Sequence, residues 1–141
     1  MLKGTSGLHH LLQQALQVSE ELFRLEMDGA SITPRQYAVL NAVHKRSGLN
    51  QGEIGASTSM DPATVADVVK RLVRNGLLAR RRTAKDQRAY SVFLTPEGAQ
   101  LLSQVRPRAD TANKNFLKLV DPARRKEFVS TLNRVAELRA R

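Results

Sequence analysis

Eight lysine and arginine side chains lie between Lys70 and Arg88, a stretch of nineteen residues whose single acid is Asp86. Eight cations less one anion give this stretch a charge of +7, while the whole chain of 141 residues carries +10. Ammonium and guanidinium groups at this density neutralise phosphate oxygens. Because the other residues contribute only +3, the positive charge is local and predicts a nucleic-acid surface.

Residues for other kinds of chemistry are few. The chain has no cysteine, which excludes disulfides, thiolate metal sites and thiol redox switches. His9 and His10 are adjacent, and neighbouring helical residues point about 100° apart, so their imidazoles do not share one ion easily. His44 is the only other histidine. Since the sequence has no glycine-rich phosphate loop, nucleophile motif or paired acids, we expect no metal site, no cofactor and no enzyme.

Four prolines mark where helices begin. Each follows Thr or Asp, in the pairs Thr33-Pro34, Asp61-Pro62, Thr95-Pro96 and Asp121-Pro122. The Thr or Asp oxygen accepts a hydrogen bond from a first-turn amide, and the proline after it has no amide to leave unpaired. Gln36, three residues after Thr33, adds a capping box.

Apolar spacing fills in the elements between these starts. We predict helices over residues 8–27, 34–45, 51–57, 62–74, 96–120 and from 122 nearly to the end, and strands over 77–81 and 89–94. Asn50 is expected to cap the third helix. Pro107 is expected to kink or split the fifth, because proline removes an interior hydrogen bond.

The order of two helices separated by a short turn and followed by a hairpin is that of a winged helix-turn-helix. We therefore predict a mainly α fold with a small β-hairpin wing. The second helix of such a motif enters the major groove, and its first residues meet base edges. Ala63 allows close approach, Thr64 and Asp67 are suited to base edges, and Asp67 fits the cytosine amino group best. The cations suited to phosphates are Lys70, Arg71 and Arg74.

Residues 30–105 resemble the MarR family of bacterial regulators, whose wing carries Asp-x-Arg followed by a strand and Leu-Thr-x-x-Gly. The matching residues are Asp86, Arg88, Leu94, Thr95 and Gly98. The resemblance implies that Arg88 enters the minor groove and that Asp86 holds its guanidinium in position. The full set of predicted DNA-binding residues is Ser59, Ala63, Thr64, Asp67, Lys70, Arg71, Arg74, Arg82, Lys85, Asp86 and Arg88.

The resemblance also implies a homodimer. Residues 1–30 and 99–141 would form a helical dimerisation region, and residues 33–98 the DNA-binding lobe of the same single domain. The terminal helices hold more apolar residues than a small winged domain covers by itself. A two-fold dimer would place its recognition helices about 34 Å apart, one turn of DNA, and read a pseudo-palindromic operator.

Members of this family often bind a small molecule between the dimerisation region and the DNA-binding lobe. The resemblance thus implies a repressor released by an aromatic acid, a related anion or the coenzyme A thioester of such an acid. An arginine would pair with the carboxylate, and aromatic side chains would flank the ring, although the same aromatic residues also suit an ordinary core. The predicted lining residues are His9, His10, Gln13, Phe23, Arg35 and Tyr37.

Two other functions stay open. The charge alone would permit a non-specific architectural DNA-binding protein, but the defined wing and the small first residues of the recognition helix argue against it. A winged-helix module that binds proteins would not need the basic recognition face. No stretch approaches the ~20 apolar residues that span a bilayer, and the first residues do not form a secretory signal. We therefore expect a cytoplasmic protein with no membrane partner.

Overall fold

The computed structural model describes residues 4–82 and 90–139 and confirms a mainly α-helical chain with one β-hairpin. In chain order the elements are α1 (Gly4–Glu26), α2 (Pro34–Lys45), α3 (Gln51–Thr58), α4 (Pro62–Arg74), β1 (Leu78–Arg82), β2 (Tyr90–Leu94), α5 (Pro96–Leu117), a 3₁₀ turn (Pro122–Arg124) and α6 (Arg125–Arg139). The strands pair antiparallel, with Leu78 opposite Leu94 and Arg82 opposite Tyr90. No described helix is both long enough and apolar enough to cross a membrane.

The predicted caps begin the helices of the DNA-binding lobe. The amide of Gln36 donates to the Thr33 hydroxyl oxygen at 3.1 Å, and the Gln36 side chain accepts from the Thr33 amide at 3.0 Å. Thr95 accepts from the amide of Gly98 at 3.0 Å and starts α5 in the same way. These bonds satisfy amides that have no partner inside the helix, so the Thr-Pro pairs set both boundaries correctly.

One hydrophobic core joins the lobe to the terminal helices. The helix-turn-helix and hairpin contribute fully buried side chains such as Leu40, Ile54, Leu72 and Val92. The inner faces of α1 and α5 extend this core together with Met27, which directly follows α1. The buried members on the two helices are Phe23, Leu102, Val105, Ala109 and Ala112. Burial of each aliphatic side chain stabilises the folded state by ~1.5–3 kcal/mol, so this shared core holds α1 and α5 firmly against the lobe.

Two predictions about the C-terminal helices need correction. Pro107 lies inside α5, and the helix is not split there, so the predicted split is wrong, while a kink stays a prediction. Both Pro107 and Ser103, whose carbonyl loses its helical partner, are exposed, so water can satisfy that carbonyl. The helix predicted from Pro122 begins instead at Arg125, after the 3₁₀ turn. The Arg125 guanidinium donates to the carbonyl oxygens of Leu117 at 2.7 Å and Val120 at 3.1 Å, and so closes the end of α5.

Candidate nucleic-acid interface and the cavity beside it

The helix α3 and the short turn of residues 59–61 that follows it position the recognition helix. Asn50 caps α3 by accepting from the amide of Glu53 at 2.8 Å. The helix ends at Ser59, whose φ of 58° lies in the left-handed region that non-glycine residues seldom adopt. A Cβ on Gly55 would lie 3.1 Å from the carbonyl oxygen of Met60, so this glycine lets the turn fold back against α3. Ser59, a predicted DNA contact, is exposed in this turn.

The exposed side of α4 carries the predicted recognition residues. Four inward residues are buried, namely Val65, Val68, Val69 and Leu72. The opposite side presents a stripe at helical spacing, and its members are Ala63, Asp67, Lys70 and Arg74, all exposed. A small side chain thus stands at the start of the helix and two cations follow it, as a helix in the major groove requires.

Polar contacts constrain two of the predicted base-reading side chains. The Asp61 carboxylate accepts from both the amide of Thr64, at 2.8 Å, and its hydroxyl, at 2.7 Å. These bonds, first from the backbone and then from the side chain of Thr64, lower the pKa of Asp61. Because the Thr64 hydroxyl donates its proton to Asp61, the groups that Thr64 can still present to DNA are its methyl group and the lone pairs of its hydroxyl oxygen.

Asp67 is paired within the helix. Its carboxylate lies 3.2 Å from Nε of Arg71, one turn further along α4. Both side chains are about 60% exposed, so the pair contributes little to stability. It directs the Arg71 guanidinium along the helix. A contact between Asp67 and a cytosine, for which this pair would have to rearrange, stays a prediction.

The wing is fixed to α4 and α5 at one junction. The Thr95 hydroxyl donates to the Gly76 carbonyl at 2.6 Å, and the Thr95 amide donates to the Leu77 carbonyl at 3.2 Å. Gly76 has a φ of +76°, which lets the chain turn out of α4 into β1. A Cβ on Gly98 would lie 2.0 Å from the Leu77 carbonyl oxygen. The Leu-Thr-x-x-Gly pattern therefore sets the angle between wing and recognition helix.

The stem of the wing arranges arginines over aromatic rings. The guanidinium carbons of Arg80 and Arg82 lie 5.8 and 5.6 Å from the centre of the Tyr90 ring. On the other face of the hairpin, Arg81 lies 4.9 Å from the centre of the Phe93 ring. Arg82, one of the predicted DNA contacts, is thus an exposed cation on the stem, one residue beyond the predicted end of the strand. The predicted contacts at the wing tip, Lys85, Asp86 and Arg88, lie outside the described residues.

A cavity of about 500 Å³ lies where α1, α2 and α5 meet the start of α4. It brings together three of the predicted ligand residues, Phe23, Arg35 and Tyr37, and the two aromatic rings lie 5.8 Å apart and tilted by 58°. Among the described residues, no carboxylate lies within salt-bridge distance of Arg35. The cavity also reaches the recognition helix through Ser59, Met60, Asp61 and Thr64.

Three predicted ligand residues lie elsewhere. His9, His10 and Gln13 are exposed on the N-terminal half of α1, and none lines this cavity. Sequence reasoning instead missed the side chains of α1 and α5 that do line it, which are Leu16, Ser19, Glu20, Ala109, Ala112 and Asn113. The spacing of Leu16, Glu20 and Phe23 places them on one side of α1, which is a weak indication that they line a common surface. Nothing local in the sequence links them to α5.

A wider groove of about 1490 Å³ runs along α1 beside α4. Its walls include Arg24, which pairs with Glu21 at 2.5 Å, and the Asp67–Arg71 pair. In the described part of the chain, the groove is lined by three acids and three arginines, Arg35 among them, whereas the smaller cavity holds Arg35 as its one cation beside Glu20 and Asp61. Within residues 4–82 and 90–139, no three His, Asp or Glu side chains are grouped closely enough to hold a metal ion.

Comparisons with known proteins agree with this architecture. A sequence model of the MarR family matches residues 30–89. The transcriptional regulator HosA of Escherichia coli O111:H- is 30% identical over 108 residues, which are 77% of this chain and 78% of HosA. BpsR of Bordetella bronchiseptica, whose DNA binding is regulated by 6-hydroxynicotinic acid, has a TM-score of 0.85 at 29% identity over 91% of each chain. The repressor CouR, bound to a 23-mer DNA duplex, has a TM-score of 0.82 at 25% identity over 92% of each chain.

Proposed function

We propose that this chain, which belongs to the MarR family of transcriptional regulators, is a homodimeric repressor whose release from its operator follows the binding of a small aromatic acid. One observation carries the proposal. The cavity that holds Arg35, Phe23 and Tyr37 is also lined by Asp61 and Thr64, the cap and first turn of the recognition helix. An anion in this cavity therefore lies against the residues that set where α4 begins.

DNA binding is supported by the exposed face of α4 and by the basic wing. Ala63 permits close approach to base edges, and Lys70 and Arg74 continue the same face as cations suited to phosphates. Residues 33–98, from the cap of α2 to the glycine that seats the wing, form the proposed DNA-binding lobe. CouR, which is similar in fold, binds a DNA duplex.

A second copy of the chain is the proposed partner of the terminal helices. On α1 an apolar seam repeats at alternating spacings of three and four residues, through Leu8, Leu11, Ala15, Val18, Leu22 and Leu25, as in a coiled coil. Four of its members are 40–61% exposed. On α6 the exposed apolar residues are Val129, Leu132, Val135 and Leu138. These two unpaired faces, in residues 1–30 and 99–141, support dimerisation through both chain ends.

The effector is proposed to be an aromatic carboxylate. Arg35 supplies a guanidinium that pairs with the carboxylate through two parallel hydrogen bonds, and Phe23 and Tyr37 supply apolar ring faces. BpsR, similar over most of its length, responds to 6-hydroxynicotinic acid, an aromatic acid. A coenzyme A thioester lacks the free carboxylate and is larger, so it would have to extend into the groove beside α4.

A DNA-binding titration tests the proposal. The probe is the promoter region beside the protein's own gene, with random-sequence duplex of the same length as competitor, with and without a panel of aromatic acids and their coenzyme A thioesters. We expect sequence-specific binding that one acid relieves, and we expect Arg35→Gln to bind DNA like the wild type but to ignore that acid. His9→Gln, outside the cavity, is the matched control. Equal binding to all duplexes would instead establish the architectural function.

A further inference from the structure

The hairpin stem has two faces with different surroundings. Opposed residues of an antiparallel pair share a face, so Leu78, Arg80 and Arg82 lie on the same side as Leu94, Val92 and Tyr90. At the inner end of this side, Leu78 and Val92 are buried in the core. Toward the wing tip the same side emerges from the protein and carries Arg80, Arg82 and Tyr90, and both arginines are exposed.

The base of the hairpin stem lies next to the recognition helix. Three residues, 75–77, connect α4 to β1, and the two elements pack together. A winged helix-turn-helix places α4 in the major groove and the wing tip at the minor groove, so one sugar-phosphate strand runs between them. The stem of the wing therefore lies beside the path of that strand, with Arg80 and Arg82 on one face of the hairpin and Arg81 on the opposite face.

The Tyr90 ring holds both guanidiniums in a geometry that suits phosphate. Arg80 and Arg82 lie at nearly equal distances from the ring centre, 5.8 and 5.6 Å, within the ~6 Å at which a cation is attracted to an aromatic face. A guanidinium resting on a ring keeps its edge N–H donors available for a bidentate contact. No carboxylate among the described residues pairs with either arginine.

We propose that Arg80 and Arg82, held on the ring of Tyr90, form a phosphate clamp at the base of the wing, and that Tyr90 is its positioning residue. The clamp rests on the proposed DNA binding, in which Arg82 is already a predicted contact, and it adds Arg80 as a second phosphate contact and Tyr90 as the residue that positions both. Phosphate contacts release counterions, so each contact adds about 0.9 to the slope of log K against log salt. A dimer has two wings, and removal of one arginine from each therefore lowers the slope by about 1.8.

The experiment measures binding of a 40-base-pair duplex at several salt concentrations. We expect Arg80→Gln and Arg82→Gln each to lower the slope by about 1.8. Arg81→Gln changes the same charge on the opposite face and is expected to leave the slope near the wild-type value. Equal slopes for all three variants, or a lowered slope for Arg81→Gln alone, would overturn the proposed clamp while leaving DNA binding itself established. Failure of the wild type to bind DNA would overturn the clamp and the proposed function together.

Variants of Tyr90 separate positioning from general stability. Tyr90→Phe keeps the ring and is expected to bind with wild-type affinity and slope. Tyr90→Leu keeps an apolar side chain without a ring face, and we expect roughly tenfold or greater weakening of DNA binding, because neither arginine of a protomer then has a ring to rest on. In the unbound protein, the side-chain protons of Arg80 and Arg82 are expected to show upfield ring-current shifts that Tyr90→Leu removes. Wild-type affinity and slope in a folded Tyr90→Leu variant would contradict the role of Tyr90.

Discussion

Replacement of Gly98 by alanine tests the junction that seats the wing. The added Cβ would lie 2.0 Å from the Leu77 carbonyl oxygen and 2.9 Å from its carbonyl carbon. These are backbone atoms, so no side-chain rotation relieves the overlap, and either α5 or the start of β1 must shift. Forced shifts of this kind cost ~1–3 kcal/mol. Separation of Leu77 from the Thr95 amide also forfeits a hydrogen bond worth ~1 kcal/mol.

The expected loss of stability is therefore ~2–4 kcal/mol, which lowers the melting temperature of a chain this size by about 10 °C. Thermal unfolding followed by circular dichroism measures the change, at one protomer concentration because the proposed dimerisation would add to stability. Gly7→Ala is the matched control, since a Cβ there has nothing within 4 Å and a helical alanine is the better helix former. A melting temperature for Gly98→Ala within about 2 °C of the wild type would refute the reasoning.

Three further predictions concern the cap, the dimer and the wing tip. Asp61→Ala is expected to lower the melting temperature at neutral pH. Because the pKa of Asp61 is depressed in the folded protein, the stability that its carboxylate contributes is present above the ordinary carboxyl pKa and is lost as pH falls through the lowered value. The melting temperatures of the wild type and the variant should therefore converge in acid. Leu132→Asp, on the exposed apolar face of α6, is expected to convert dimer to monomer in sedimentation velocity, and an unchanged dimer would exclude that face. Arg88→Ala is expected to weaken DNA binding strongly in the same titration while leaving the dimer intact, and wild-type affinity would exclude Arg88 from the minor groove.

The elements that the sequence predicts well are those with local causes. A threonine or aspartate before proline acts on amides only two or three residues away, so Thr33, Asp61 and Thr95 mark three helix starts to the residue. The inward face of α4 follows from spacing alone. The split expected at Pro107 was wrong because the cost of an interior proline depends on whether the carbonyl that loses its hydrogen bond meets water, and exposure is a tertiary property.

The cavity depends on contacts that leave no local signal. The side chains of Glu26 and Asn115 are hydrogen-bonded at 3.2 Å across 89 positions of sequence, and such pairings bring α5 beside α1. His9 and His10 share α1 with Phe23 and are of types equally suited to a ligand, but more than three helical turns separate them from it. The positions of Arg35 and Tyr37 follow from the sequence more directly, because both lie in the first turns of α2 and the Thr33 cap fixes where that helix begins.

The position of the cavity sets how strong an effector's influence can be. A ligand shifts an equilibrium only by the difference in its affinities for the two conformations, and hundredfold weaker DNA binding requires ~2.7 kcal/mol. A charge-assisted hydrogen bond contributes ~1.5–3 kcal/mol, so one Arg35–carboxylate pairing, made only when α4 has left its DNA-binding position, would nearly suffice. In the proposed dimer, two cavities would double this difference in free energy, because both recognition helices must fit one operator. An effector that contacts Arg35 equally in both conformations could bind tightly but would not release the protein from its operator. The proposed mechanism therefore requires that each cavity bind the inducing acid more tightly in the free protein than in the DNA complex, and the product of the factors for the two cavities must equal the factor by which the acid weakens DNA binding.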